Sequence, residues 1–325
     1  MYAQETSTRR IEYVTRLLGP LVGDLLLEPD VTDITLNAPL PGEADGRIWV
    51  TRLGKPNEPV GFMSAAAAES AIAAIASSLS EVVTRENPII EGELLLDGSR
   101  FTGIIPPVTT SPIFTIRRMA SAVFTLSSYV EKGQMTEWQK DIVEKAVISK
   151  KNILVVGSMS SGKSTFINGL LEAVYRYTPE DRIIILEELR ELQCSSPDQA
   201  RLRVTPHIQI GRLLRTSLRL SGNRIWVGEV RGREAMEMLK LWTSGHPGGG
   251  CTLHSDIVTP HAALSKVEQY VSEVTQSPMQ RLIADAVGLI VCMEKTGSGQ
   301  RRVSQIVSVQ GFDGDNYRLK TEDKV

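Results

Sequence analysis

One stretch constrains this chain more than any other: Gly157-Ser158-Met159-Ser160-Ser161-Gly162-Lys163-Ser164, with Thr165 after it. It fits the GxxxxGK[ST] spacing at every required position. It also lies between an apolar run, Asn152 to Val156, and a helical pattern, Thr165 to Tyr175. Successive main-chain N–H groups have to wrap a phosphate, and glycines at both ends permit the dihedrals and the close approach that this needs. The N-terminus of the following helix adds partial positive charge. On this reading Lys163 reaches the β- and γ-phosphates of ATP, Ser164 ligates Mg2+ and Thr165 touches the α-phosphate.

The surrounding pattern agrees with a nucleotide-binding α/β unit. Thr136 and Gln139 form a capping box before an apolar face of Trp138, Ile142, Val143, Ala146 and Val147. Apolar runs then alternate with helical segments: Ile153–Val156, Ile183–Leu186, Ile225–Val227, Cys251–Leu253 and Leu289–Met293. Their continuous apolar character predicts strands buried on both faces of a parallel sheet. Val303–Val309 and Asn316–Lys320 are expected to close it as a hairpin. Upstream, Thr8–Leu27 is helical in period but broken at Gly19-Pro20. Short β-like runs follow at Val31–Asn37, Arg47–Leu53, Glu93–Ile105 (around Asp97-Gly98) and Phe114–Arg118, with an alanine-rich helix at Ser64–Leu79. This part reads as a smaller α+β domain. Met119 to Gly133 reads as a connector, so the expected domains are 1–130 and 131–325.

Two strands end in carboxylates. Arg224-Ile-Trp-Val-Gly-Glu229 places Glu229 where a Walker B acid holds Mg2+ through water, and Arg182–Glu188 ends in Glu187 and Glu188, either of which is placed to orient the attacking water. His254 ends a third strand, Cys251-Thr-Leu-His254, and is a candidate sensor of the γ-phosphate. His207 and His261 read as structural.

Charge and composition remove other classes. Thirty-six Lys+Arg against 38 Asp+Glu leave a net charge of −2, so no global basic field holds nucleic acid. Arg212, Arg215 and Arg219 form a helical stripe whose readings are DNA contact, a subunit interface or a solvated face. No aromatic residue interleaves with it, so direct nucleic-acid binding is not expected. The cysteines, Cys194, Cys251 and Cys292, form no CxxC pair and read as reduced thiols. No run approaches the roughly 20 apolar residues of a membrane span. The expected location is therefore cytoplasmic, with any membrane contact peripheral.

Taken together, GSMSSGKST, ILEELRELQ, RIWVGEVRG, SGHPGGGCTLHSD and the upstream GSRFTGIIPP resemble the type II/IV secretion traffic ATPases, most of all their conjugal-transfer and type IV secretion branch. The resemblance spans nearly the whole chain and is densest from Thr136 to Thr259. It implies a RecA-like P-loop ATPase domain with a mainly parallel sheet, preceded by the smaller α+β domain. It further implies a hexameric ring of identical chains, inner-membrane secretion or conjugation components as partners, and a place at the cytoplasmic face of the inner membrane. Carried over by motif, Gly157–Thr165 is the Walker A site, Glu187 and Glu188 are the acidic box, Glu229 closes Walker B and His254 ends the histidine box. Arg100, Arg117 and Arg118 match N-terminal-domain arginines that reach the nucleotide. Their residue-level alternative is a charged edge strand that discourages aggregation. The chain departs from the family at Glu187-Glu188, where Glu-Asp is usual, and at Ser221-Gly222-Asn223, where Arg-Pro-Asp is common.

The implied function is an ATP-hydrolysing motor for a type IV secretion or conjugal transfer apparatus. A nucleotide-gated scaffold with little turnover, an ATPase of the type II or type IV pilus branch, a P-loop kinase and a DNA translocase stay open as alternatives.

Overall fold

The computed structural model describes residues 2–53, 55–118, 123–205, 207–297 and 300–322, with residues 2–11 described by their backbone alone. The chain divides into two compact units, Met1–Ser121 and Ala122–Val325.

The first unit opens with α1 (Tyr2–Leu27), which breaks at Gly19 (φ 80°, ψ 164°), just before Pro20. Strands β1 (Val31–Asn37), β2 (Gly46–Arg52) and β3 (Glu58–Met63) precede α2 (Ala65–Ser78), which Ser64 caps by accepting from the Ala67 N–H. Strands β4 (Ile89–Glu93), β5 (Arg100–Ile104) and β6 (Ile113–Arg117) follow. The six strands form one sheet in the order β3-β2-β1-β6-β5-β4, and every pairing is antiparallel. Period-two alternation sends Ile34, Leu36, Ile48, Val50, Phe101, Phe114 and Ile116 into a core with Leu18 and Val22 of α1 and Ile72 and Ile75 of α2. The expected run Glu93–Ile105 takes in the end of β4, the turn around Asp97-Gly98 and β5, and the hairpin's first arm begins earlier, at Ile89. Its turn is closed by Leu94 N–H to the Ser99 carbonyl, 2.8 Å.

The second unit begins with α3 (Leu126–Glu131), inside the segment expected to be a connector, of which Met119–Ala122 lie outside the described residues. Leu126 and Tyr129 are buried in the second unit's core, which puts the division at Ser121/Ala122 rather than near residue 130. Then come α4 (Glu137–Ile148), with both arms of its capping box formed, β7 (Ile153–Gly157), α5 (Lys163–Tyr177), β8 (Ile183–Glu187) and β9 (Gln199–Arg203). They are followed by α6 (Ile210–Ser217), β10 (Arg224–Val230), α7 (Ala235–Thr243), β11 (Gly250–His254), α8 (Pro260–Ser272) and α9 (Gln280–Ala286). The last elements are β12 (Leu289–Lys295), β13 (Arg301–Phe312) and β14 (Tyr317–Thr321).

Their sheet runs β14-β13-β12-β7-β11-β10-β8-β9, parallel from β12 to β9 and closed by the antiparallel β13–β14 hairpin. Both faces are covered, which explains the unbroken apolar strands. Leu154, Val156, Ile184, Leu186, Ile225 and Val227 pack on the α6–α9 side, while Ile153, Val155, Ile183, Ile185 and Trp226 pack on the α3–α5 side. The main parallel strands stop at one edge, and ligands of open α/β sheets bind beyond such carboxyl ends.

Below the opposite edge a buried arginine ties the layers together. Arg224, fully buried, donates to Asp181 (2.7 Å), Thr178 (3.0 Å) and the Val147 carbonyl (3.0 Å). Lys150 completes the cluster at 2.7 Å from the other Asp181 oxygen. Burial opposes ionisation of Asp181, yet these two cations win and hold its pKa below the usual carboxylate value.

Candidate nucleotide-binding site

β7 delivers the chain into the loop and α5 leaves it. Gly157 is required by close packing, since a Cβ there would lie 2.4 Å from Ser161 Oγ and 2.5 Å from the Met293 carbonyl oxygen. Gly162, the residue before α5, is left-handed at φ 92°. Ser160 is left-handed as well, at φ 59°, a conformation that strains a residue with a side chain. Ser158 and Met159 lie in the same loop, and the Met159 side chain is exposed.

Lys163 and Ser164 find partners within the chain, whereas Ser161 does not. Lys163 Nζ donates to the carbonyls of Gly157 (2.9 Å) and Ser158 (2.8 Å). Burial lowers the Lys163 pKa, and the nearby charges of Glu229 and Glu191 partly restore it. Ser164 Oγ donates to Glu191 Oε2 at 2.7 Å. Ser161 Oγ is buried and has no hydrogen-bond partner. Thr165 occupies the first turn of α5, half-buried.

The acids from the neighbouring strands divide their roles. Glu187, 5% exposed at the end of β8, accepts the N–H groups of Glu191 (2.9 Å) and Leu192 (2.6 Å) on one oxygen, and Arg201 approaches the other at 3.3 Å. Burial pushes its pKa up against those N–H bonds. Its carboxylate is occupied in shaping the loop after β8, and the carboxylate that reaches Ser164 is Glu191. Sequence reasoning missed Glu191 because it lies in irregular chain beyond the strand; the available signal was a third acid four residues after Glu187. Glu229, on β10, and Glu188 are bridged by Arg231, which donates to Glu229 at 2.6 and 3.0 Å and to Glu188 at 2.6 Å. His254 ends β11 in register with Gly157, with Nε2 3.5 Å from Asp256.

The oxygen donors Ser164, Glu191 and Glu229 suit a hard cation such as Mg2+, so the residues present fit the metal that the resemblance implies. The buried Ser161 hydroxyl, which no group of the chain meets, fits the same reading.

The three N-terminal arginines belong to the first unit. Arg100 and Arg117 are direct cross-strand partners in a row that runs Glu93–Arg100–Arg117–Asp33, where like charges side by side are offset by an acid at each end. Arg117 Nε lies 2.7 Å from Asp33. Arg118 turns inward, donating to the Glu28 carbonyl, and is tied to its own sheet. Arg212, Arg215 and Arg219 are exposed, and Arg215 pairs with Glu237 at 3.3 Å. No described helix is long and apolar enough to cross a membrane.

Residues 31–296 match the family described as "Type II/IV secretion system protein". The chain is 40% identical over 314 residues to "Probable conjugal transfer protein TrbB" of Sinorhizobium fredii, covering 97% of this chain and 94% of that one. Among solved structures, it is similar to the Legionella pneumophila ATPase DotB, with a TM-score of 0.60 at 16% identity, covering 94% of this chain and 82% of that one. It is also similar to the ADP-bound pilus retraction motor PilT, with a TM-score of 0.59 at 15% identity, covering 92% and 80%. At those identities the likeness speaks to the fold.

Proposed function

This chain belongs to the type II/IV secretion system protein family, and we propose that it is an ATP-hydrolysing motor that powers a type IV secretion or conjugal transfer apparatus. One observation carries the reading. The loop Gly157–Thr165 sits at the carboxyl end of the buried strand β7, with Lys163 folded across its carbonyls and the acids of β8 and β10 beside it. The transfer assignment draws on the conjugal-transfer relative.

In hydrolysis a water oxygen bonds to the γ-phosphorus, the bond to the β–γ bridging oxygen breaks, and a proton leaves the water. Such a reaction needs positioning and charge neutralisation more than covalent chemistry. The main-chain N–H groups of 157–165 hold the β-phosphate, and Lys163 exchanges its two carbonyl partners for β- and γ-oxygens. Thr165 meets the α-phosphate and His254 faces the γ-phosphate side. Ser164, Glu191 and, through water, Glu229 would hold Mg2+, which when bound neutralises phosphate charge. Glu188 orients the water and receives its proton, while Glu187 keeps the loop in shape. Arg118 is assigned to its own sheet. A hexameric ring, inner-membrane partners and a peripheral place at the cytoplasmic face belong to the same proposal.

The test is phosphate release from ATP by wild type and Lys163→Ala, with solution mass measured with and without ATP and Mg2+. Loss of about 100-fold or more in kcat with an unchanged circular dichroism spectrum is expected, by analogy with removing one preorganised donor to a developing anion. Full turnover in the variant would sink the assignment.

A further inference from the structure

The loop that follows β8 has an unusual construction. From Glu191 to Gln193 it belongs to neither helix nor strand, and three side chains take up its main-chain groups. Glu187 Oε1 accepts the N–H groups of Glu191 and Leu192 at 2.9 and 2.6 Å. Arg201 Nη1, from the edge strand β9, donates to the Leu192 carbonyl at 2.7 Å. Asn168 supplies the rest: its Nδ2 donates to the Glu191 carbonyl at 3.2 Å and its Oδ1 accepts the Gln193 N–H at 2.8 Å. Between them the Leu192 side chain is sunk in the core, 2% exposed.

Asn168 itself is 1% exposed. A primary amide buried this deeply is costly unless its groups are matched, and here donor and acceptor both face one short piece of main chain, as a paired strand would. Its position on α5 matters as much as its bonds. Asn168 follows Ser164 by four residues, one helical turn along the same face. The same three-residue loop is therefore fastened to α5 twice: through the Asn168 amide to main chain, and through Glu191 Oε2 to Ser164 Oγ at 2.7 Å.

The geometry points to Asn168 as a positioning residue that fixes the Glu191 carboxylate against Ser164, on the metal- and water-facing side of the phosphate loop. The inference deepens the ATPase reading and rests on it for its catalytic meaning, though not for its structural readout. Asn168 touches neither substrate nor metal. It acts through Glu191, with Glu187 and Arg201 gripping the same loop from the sheet. Because it stands on the P-loop helix, any shift of that helix on filling the phosphate cradle is passed directly to the loop carrying Glu191.

The experiment compares wild type with Asn168→Leu, Arg201→Gln and Glu191→Gln. Amide hydrogen exchange is followed in peptides spanning 188–197, together with the kcat and KM of ATP hydrolysis and the affinity for ADP in EDTA. Asn168→Leu is expected to speed exchange in the 191–193 segment and to lower kcat about 10-fold or more, the usual scale for losing an outer partner of a metal-site ligand. KM and metal-free ADP affinity should stay within about twofold, since the phosphate cradle is untouched. Glu191→Gln should lower kcat without speeding exchange, which separates loss of the carboxylate from loss of its position. If Asn168→Leu fails to fold, Arg201→Gln loosens the same loop from a half-exposed edge strand and is expected to give the same paired effect. Unchanged exchange and kcat in the folded variants would overturn the assignment, as would a loosened loop with kcat intact. A wild type that shows protected amides but no turnover would refute the ATPase reading and leave the loop architecture standing.

Discussion

Replacing Gly157 by alanine tests whether the phosphate loop is held by packing as tight as the distances say. The new Cβ would stand 2.4 Å from Ser161 Oγ and 2.5 Å from the Met293 carbonyl oxygen. The carbonyl cannot withdraw, because Met293 is paired with Gly157 in the β7–β12 ladder. Ser161 would have to move instead, although it is fully buried. Overpacking of this kind costs about 1–3 kcal/mol. For a unit of roughly 200 residues, each kcal/mol lowers the melting temperature by about 2–4 °C, so a fall of roughly 2–12 °C is expected. Tryptophan fluorescence suits the measurement, since Trp138, Trp226 and Trp242 all lie in the second unit. Gly228→Ala serves as the comparison, because its nearest neighbour would be Glu187 Cγ at an ordinary 3.6 Å. The displaced Ser161 drags the loop with it, so ADP binding by calorimetry should weaken in parallel. A Gly157→Ala protein that melts with the wild type and binds ADP equally well would refute the packing argument.

Ser160→Gly removes the left-handed strain at φ 59°, which costs an L-residue about 1–2 kcal/mol, against about 0.4–1 kcal/mol of added unfolded-chain entropy. The melting temperature should therefore rise slightly; a fall would mean that the hydroxyl supports the loop. Arg224→Met leaves the buried Asp181 carboxylate with Lys150 as its remaining cation and should destabilise the second unit in urea by about 3 kcal/mol, the low end for breaking a buried pair. Asp181 has a folded pKa below the ordinary carboxylate value, so its contribution is present above the unfolded pKa and is lost as pH falls through the folded one. With the Arg224 bond gone that depression shrinks, and acid unfolding should begin at higher pH than in wild type. An unmoved acid transition would count against the pair.

How much of this was legible beforehand depended on how local each signal was. The strand and helix that flank residues 157–165 and the capping box of Thr136 and Gln139 are short-range patterns, and the structure contains them where the spacing put them. β9 escaped because Gln199–Arg203 is a charged edge strand with only Ala200 and Leu202 apolar. β3 escaped because Pro59 and Gly61 interrupt an edge strand whose pairing comes from β2. Only six residues long, α3 sits in polar sequence and owes its place to Leu126 and Tyr129 meeting a core assembled from distant strands. At the site, the paired acids Glu187 and Glu188 drew attention by ending a strand. Which carboxylate reaches Ser164 follows from a loop gripped by the side chains of Glu187, Asn168 and Arg201, and no periodicity records that.

The closure of the phosphate loop upon itself sets terms for whatever enters it. Lys163 already has two carbonyl acceptors, and Ser164 already has a carboxylate. An incoming anion gains only the difference between what it offers and what it displaces. A lone phosphate offers Lys163 a substitute and leaves the serine where it was. On the proposed ATPase reading, a polyphosphate arriving with its cation would replace both sets of partners at once. Competition from within would then act as a filter, favouring the complete metal–nucleotide complex over the fragments that share its charge.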